Sequence, residues 1–174
     1  MKKLFTLFVL ALVAAVSIHA SAQSLVGKWS AEAGGTQQEL IESIGGEIEK
    51  ADNIWTFSNK NTYTIYSYVK ASAEIMGFTM FLEMEMIDNG NWNLNSNQLT
   101  VTSQNADISK FNISFSEPSL NSEGEAIKST LSELFQSASG ESITYNIVFI
   151  DDNTIELEFD NELMPLSFTL TRTR

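Results

Sequence analysis

Glu83, Glu85, Glu156, Glu158, Asp160 and Glu162 form the densest group of side chains in this sequence that could do chemistry. Such carboxylates could share calcium, a hard cation that prefers several oxygen ligands, or divide into a general acid and a general base. Their surroundings point elsewhere. Glu83 and Glu85 alternate with Leu82, Met84 and Met86, and Glu156, Glu158 and Asp160 alternate with Ile155, Leu157 and Phe159. Period-2 patterning of this kind sends the acids to the solvated face of strands. Asp151-Asp152-Asn153 reads as a plain turn. No Gly-rich phosphate loop, Gly-x-Ser-x-Gly elbow or metalloprotease helix occurs. The expectation is therefore a non-enzyme with no catalytic residue, metal or cofactor.

Hydrogen bonding to a ligand is the chemistry that remains, and tyrosine offers an apolar ring with a hydroxyl at its tip. Parity puts Tyr63 on one face with Ile65 and Val69, and Tyr145 with Ile147 and Phe149, while Tyr66 and Tyr68 point the other way. The clearest strand pattern runs from Phe78 to Met86, with Phe78, Met80, Leu82, Met84 and Met86 on one face. A one-residue slip would bury Glu83 and Glu85, so its orientation is well specified. Methionine is flexible and polarizable, and it adapts to irregular apolar shapes. An inward row of methionines can fill a core or line a cavity, and the pattern leaves both open.

The start of the chain reads as an export signal: Lys2-Lys3, an apolar run from Leu4 to Val16, and small residues at Ala20-Ser21-Ala22. That run is shorter than the roughly 20 residues a membrane-spanning helix needs. We expect residues 1–22 to be removed, with no lipid-attachment cysteine after the cleavage site, leaving one domain over 23–174 in a secreted or periplasmic location. The leader takes away Lys2, Lys3 and His19, so 8 basic residues face 22 acidic ones, a net charge of −14 (8 − 22). Without histidine or cysteine there is no imidazole or thiolate for zinc, copper, iron–sulfur clusters or nucleophilic catalysis. Disulfides are likewise excluded. The acidic balance repels phosphate backbones and anionic lipid surfaces, so neither nucleic acid nor membrane insertion is expected.

These side chains need elements to position them. After a first strand at Leu25 to Ser30, Thr36-Gln37-Gln38-Glu39 has capping-box spacing, and Leu40, Ile41, Ile44 and Ile48 continue it as a short helix. Ile54 to Ser58 and Thr62 to Val69 flank Asn59-Lys60-Asn61 as a hairpin. Asn89-Gly90 is the strongest two-residue turn signal and should end the Phe78 strand. Asn91 to Leu94, Leu99 to Thr102 and 107–116 follow as separate strands, the last with Phe111, Ile113 and Phe115 on one face. Ser122-Glu123-Gly124-Glu125 opens a second helix carrying Ile127, Leu131, Leu134 and Phe135. Ile143 to Ile150, Thr154 to Phe159 and Leu166 to Thr173 complete nine or ten candidate strands. The pattern predicts an all-β fold, an antiparallel up-and-down barrel of eight or more strands with two short helices.

Gly27-Lys28-Trp29 at the start of the first strand, answered by Arg172 in the last, resembles the signature of small lipocalin-like (calycin) β-barrels. Ile54 to Tyr63 resembles their second hairpin, and Gly90-Asn91-Trp92-Asn93-Leu94 with Leu99-Thr100-Val101 resembles their mid-barrel hairpin. The second helix departs from that pattern, since most lipocalins carry their long helix after the barrel. The resemblance implies that Trp29 closes one barrel end with Arg172 lying over it and Gly27 beside them. It also implies a small hydrophobic ligand inside the barrel, with a wall made by Tyr63, Ile65, Met80, Leu82, Met84, Met86, Phe111, Ile113, Tyr145 and Ile147. The alternative is a solid barrel that docks a protein or glycan through its outer face, with Tyr66, Tyr68 and the acidic strands as the contact surface.

Overall fold

The computed structural model describes residues 25–33, 46–75, 77–120, 126, 129–130, 133, 139–159 and 166–173. Its strands are β1 Gly27–Ala33, β2 Gly46–Phe57, β3 Thr62–Ile75, β4 Phe78–Asn95, β5 Gln98–Phe115, β6 Ser142–Asp151, β7 Thr154–Phe159 and β8 Leu166–Arg172. Each is hydrogen-bonded to its neighbours in chain order, and β8 returns to β1, so the antiparallel sheet closes into an eight-stranded up-and-down barrel.

The closing interaction lies at one end. Trp29 stands opposite Arg172 in the β1–β8 ladder, and the guanidinium sits 4.2 Å from the centre of the indole ring. Arg172 also donates to the carbonyls of Val26 (3.0 Å) and Asp152 (3.2 Å), while the Trp29 indole N–H donates to Leu25 O at 2.8 Å. Gly27 makes room for this arrangement. Its φ of +140° suits glycine, and a Cβ there would meet the Arg172 Nη1 at 2.6 Å. Above the pair, aromatic rings pack edge to face: Trp55 with Tyr145 at 5.8 Å, Phe57 with Trp92 at 5.7 Å, and Tyr145 with Phe168 at 6.3 Å. Each such pair adds about 1 kcal/mol beyond area burial. Leu99, Ile155, Leu157 and Leu170 are buried with them in one core cluster.

Strand lengths are unequal, which shapes the rest of the molecule. β1, β7 and β8 have 6 or 7 residues each, whereas β3, β4 and β5 have 14, 18 and 18. The β1–β2 ladder covers only Ile54 to Phe57 of β2, and the β5–β6 ladder only Gln98 to Thr102 of β5. Beyond that belt, β2 to β5 continue as a four-stranded extension of the barrel wall, paired as far as Gly46↔Ala73 and Met80↔Phe115.

Three expectations from the sequence are corrected here. Asn89-Gly90 is not a turn: β3 and β4 pair without interruption from Thr62↔Asn91 to Ile75↔Phe78, and the next described turn is at Ser96-Asn97. Gly90 is needed for a different reason, because a Cβ there would fall 2.0 Å from the Thr102 carbonyl oxygen and 2.8 Å from Tyr63 Cε1. Second, Leu99 to Thr102 and 107–115 belong to one strand, β5, with register shifts near Gln104 and Ser109. These two mergers reduce ten candidate strands to eight. Third, the described residues define no pair of short helices. The first expected helix falls mostly on 34–45, outside the described residues, and its last apolar position, Ile48, lies in β2. The second falls on 122–139, also mostly outside them. There only Ala126, Ser129, Thr130 and Glu133, in helical conformation, and Ser139, in a turn, are described, with the Thr130 hydroxyl donating to Ala126 O. A 3-10 turn at Pro118–Leu120 precedes them. Residues 1–22 lie outside the described residues.

If Gly90 serves a close backbone approach, Gly90→Ala should cost about 3 kcal/mol, since backbone as well as a side chain must yield. Chemical denaturation checks this, and a loss near the roughly 1 kcal/mol of an ordinary strand glycine would contradict it.

Candidate functional site

The unbroken β3–β4 ladder fixes which side chains share a face. Opposite partners are Ile65↔Asp88, Ser67↔Met86, Val69↔Met84, Ala71↔Leu82 and Ala73↔Met80. On β5 the matching positions are Ile108 beside Met86, Phe111 beside Met84, Ile113 beside Leu82 and Phe115 beside Met80. On β2 they are Trp55, Asn53 and Ala51, and, past the shift at Glu49, Ile48. The face holding the aromatic core in the closed belt therefore continues up the extension as a wall of methionine, leucine, isoleucine and phenylalanine. Phe111 is 7 % exposed and Met80, Leu82, Met84, Met86 and Ile113 are half-buried. At the rim where β5 leaves β6, the inward-facing Ile143 remains 43 % exposed.

The ten expected wall residues thus fall into two groups. Tyr63, Tyr145 and Ile147 belong to the aromatic core, and Ile65 packs against it. Met80, Leu82, Met84, Met86, Phe111 and Ile113 line the extension. The two groups lie at different heights along the same inward face.

Between the groups lies a polar band that sequence reasoning missed. Asp88 accepts hydrogen bonds from the Tyr63 hydroxyl and the Ser103 hydroxyl, each at 2.7 Å. Nearby, Asn53 Oδ1 accepts from the Trp55 indole N–H at 3.0 Å and from the Ser67 hydroxyl at 3.3 Å. One signal could have revealed Asp88, namely the even-numbered row from Phe78 to Met86, which reaches Asp88 when the strand is not ended at Asn89. Burial, reinforced by the Asp88 hydrogen bond, raises the Tyr63 hydroxyl above the ordinary tyrosine range. Burial and, secondarily, the Asp88 charge push Tyr145 up to about 12. Both therefore stay neutral and able to hydrogen-bond at physiological pH.

The outer face of the extension is a separate network. The Tyr68 hydroxyl donates to Glu83 at 2.8 Å, Lys110 pairs with the same oxygen at 2.6 Å, and Asn112 donates to the other at 3.3 Å. The Tyr66 hydroxyl donates to Glu85 at 3.3 Å, Lys70 pairs with Glu49, and Lys50 lies 5.2 Å from the centre of the Tyr68 ring. Tyr66 and Tyr68 point outward, as parity requires. Neither is an exposed ring, however, since both are half-buried with their hydroxyls committed to neighbours. Glu83 and Glu85 likewise face outward and hold the sheet together across strands.

Lys110, then Tyr68, draws the Glu83 carboxyl down to about 2. A depressed folded value means that the ionised carboxylate favours the folded state. This contribution is complete above the ordinary value of 4.5 and is lost as the pH falls towards 2. Glu83→Gln should therefore melt below the wild type at about pH 6, with the gap closing on acidification through that window and shrinking with added salt. Thermal midpoints across the pH range check this, and a gap that persists at about pH 2 would contradict it. Comparison with known proteins adds no further constraint, because no family model matches the chain and no curated protein matches it.

Proposed function

We propose that this protein is an exported, lipocalin-like binding protein that holds a small apolar molecule against the inner face of the β2–β5 extension. The observation that carries this reading is the single inward row of Met80, Leu82, Met84 and Met86. It is flanked by Phe111 and Ile113, half-buried, and continuous with the barrel interior. The closed belt holds the buried aromatic cluster, so the ligand would rest on top of that core, with the polar band of Tyr63, Asp88 and Ser103 at its foot. Affinity would come from removing apolar surface from water, about 25 cal/mol per Å² or roughly 0.8 kcal/mol per buried CH₂. Methionine would let one wall fit chains or rings of differing shape. Orientation would come from hydrogen bonds at the band.

Enhancement of N-phenyl-1-naphthylamine fluorescence by the purified protein tests the reading. Met84→Glu places a carboxylate in the middle of the wall and should reduce uptake by about tenfold or more, since burying that charge costs several kcal/mol. Phe81→Glu, on the outer face and 46 % exposed in the wild type, should leave uptake unchanged. Uptake by a folded Met84→Glu protein equal to that of the wild type would overturn the site.

A further inference from the structure

Asp88 brings a negative charge to the inward face at the foot of the methionine wall, and nothing basic among the described residues answers it. The described ion pairs join Lys50 to Asp52, Lys70 to Glu49 and Lys110 to Glu83, all on the outer face. Arg172 sits over Trp29, at the end of β8 remote from the extension. Asp88 is half-buried, which leaves it within reach of a molecule lying on the wall.

The direction of each hydrogen bond narrows the chemistry further. Tyr63 and Ser103 both donate to Asp88, so their protons are committed and their remaining lone pairs can only accept. An ionised carboxylate has about four acceptor positions, and two are filled here. Tyr145, 8 % exposed and near enough for Asp88 to raise its pKa, makes no hydrogen bond to a described residue. A buried hydroxyl left without a partner costs about 1 to 3 kcal/mol, and its oxygen can accept a donor even though its own O–H also remains free to donate. The foot of the wall therefore offers acceptors and negative charge, while the wall offers apolar contact.

We propose that this site selects amphiphiles whose polar end is a protonated amine, with the ammonium held by Asp88 and the hydroxyl oxygens of Tyr63, Ser103 and Tyr145 and the hydrocarbon lying along Met80 to Met86. The proposal rests on the binding reading above and specifies its ligand class. An ammonium brings three donors and no acceptor, matching the band, and its bonds to a carboxylate are charge-assisted. A carboxylate or phosphate head would instead meet Asp88 as a like charge.

Dodecylamine, dodecanol and dodecanoate, each below its micellar or solubility limit at about pH 7, would be compared as displacers of bound N-phenyl-1-naphthylamine. The amine should displace it at a concentration about tenfold or more below the alcohol, as one charge-assisted hydrogen bond implies, and dodecanoate should be weakest. Asp88→Asn should reduce the amine-to-alcohol ratio to near one. In the wild type, added salt should shrink the same ratio, a readout that needs no variant. A dodecanoate affinity equal to that of the amine, or an amine preference that survives both Asp88→Asn and salt, would overturn the assignment of charge while leaving the apolar wall intact. Failure of the fluorophore itself to bind the wild type would overturn both readings.

Discussion

The β3–β4 ladder is the constraint on which the other features depend. Every residue of β3 from Thr62 to Ile75 has a partner on β4, without a bulge, and side chains alternate strictly about such a pair. Once Gly90 is set inward beside Tyr63, the alternate positions Asp88, Met86, Met84, Leu82 and Met80 have no freedom to face elsewhere. The register shifts in the ladders flanking it occur instead on β2 at Glu49 and on β5 near Gln104 and Ser109. Bulges bend a strand and increase its local twist, so the flanking strands accommodate the curvature while the central pair keeps its faces.

Closure and reach are divided along the same strands. Trp29 and Arg172 tie the first and last strands at one end, where the indole N–H and the guanidinium satisfy carbonyls of Leu25, Val26 and Asp152. A contact of this kind between a guanidinium and an indole contributes about 1 to 2 kcal/mol when desolvated. The aromatic rings above it occupy the belt in which all eight strands take part. Past that belt only β2 to β5 continue, and the residues they turn inward change from Trp, Phe and Tyr to Met, Leu and Ile. The inward face thus changes in character with height along the same strands.

Much of this was legible in the sequence because alternation is a direct consequence of the pleat. The inward row from Phe78 to Met86, the inward Tyr63 and Tyr145, the outward Glu83 and Glu85, and the closing Gly27, Trp29 and Arg172 all follow from parity or from a short motif. What could not be read was where strands continue. Asn-Gly is a strong local turn signal because both residues tolerate positive φ, yet Gly90 lies where the Thr102 carbonyl passes close by, a demand set by another strand. Ending β4 at Asn89 also hid Asp88, since the alternating row was cut one position short of it. The same error separated Leu99 to Thr102 from 107–116, where the shifts near Gln104 and Ser109 disturb a simple period of 2.

The two faces of the extension treat charge in opposite ways, and the contrast bears on what each is for. Outside, Glu83 is bound by a lysine, a tyrosine and an asparagine, and its depressed pKa records that satisfaction. Such exposed pairs contribute little stability each, but as a network across β3, β4 and β5 they hold the sheet in register. Inside, Asp88 has hydroxyl donors from Tyr63 and Ser103 and no cation among the described residues. Hydroxyls orient a carboxylate without neutralising it, so the negative charge is kept where water is scarcer and electrostatic attraction is stronger. An oriented, unneutralised carboxylate at the foot of an apolar wall is the arrangement that a cationic amphiphile would complete.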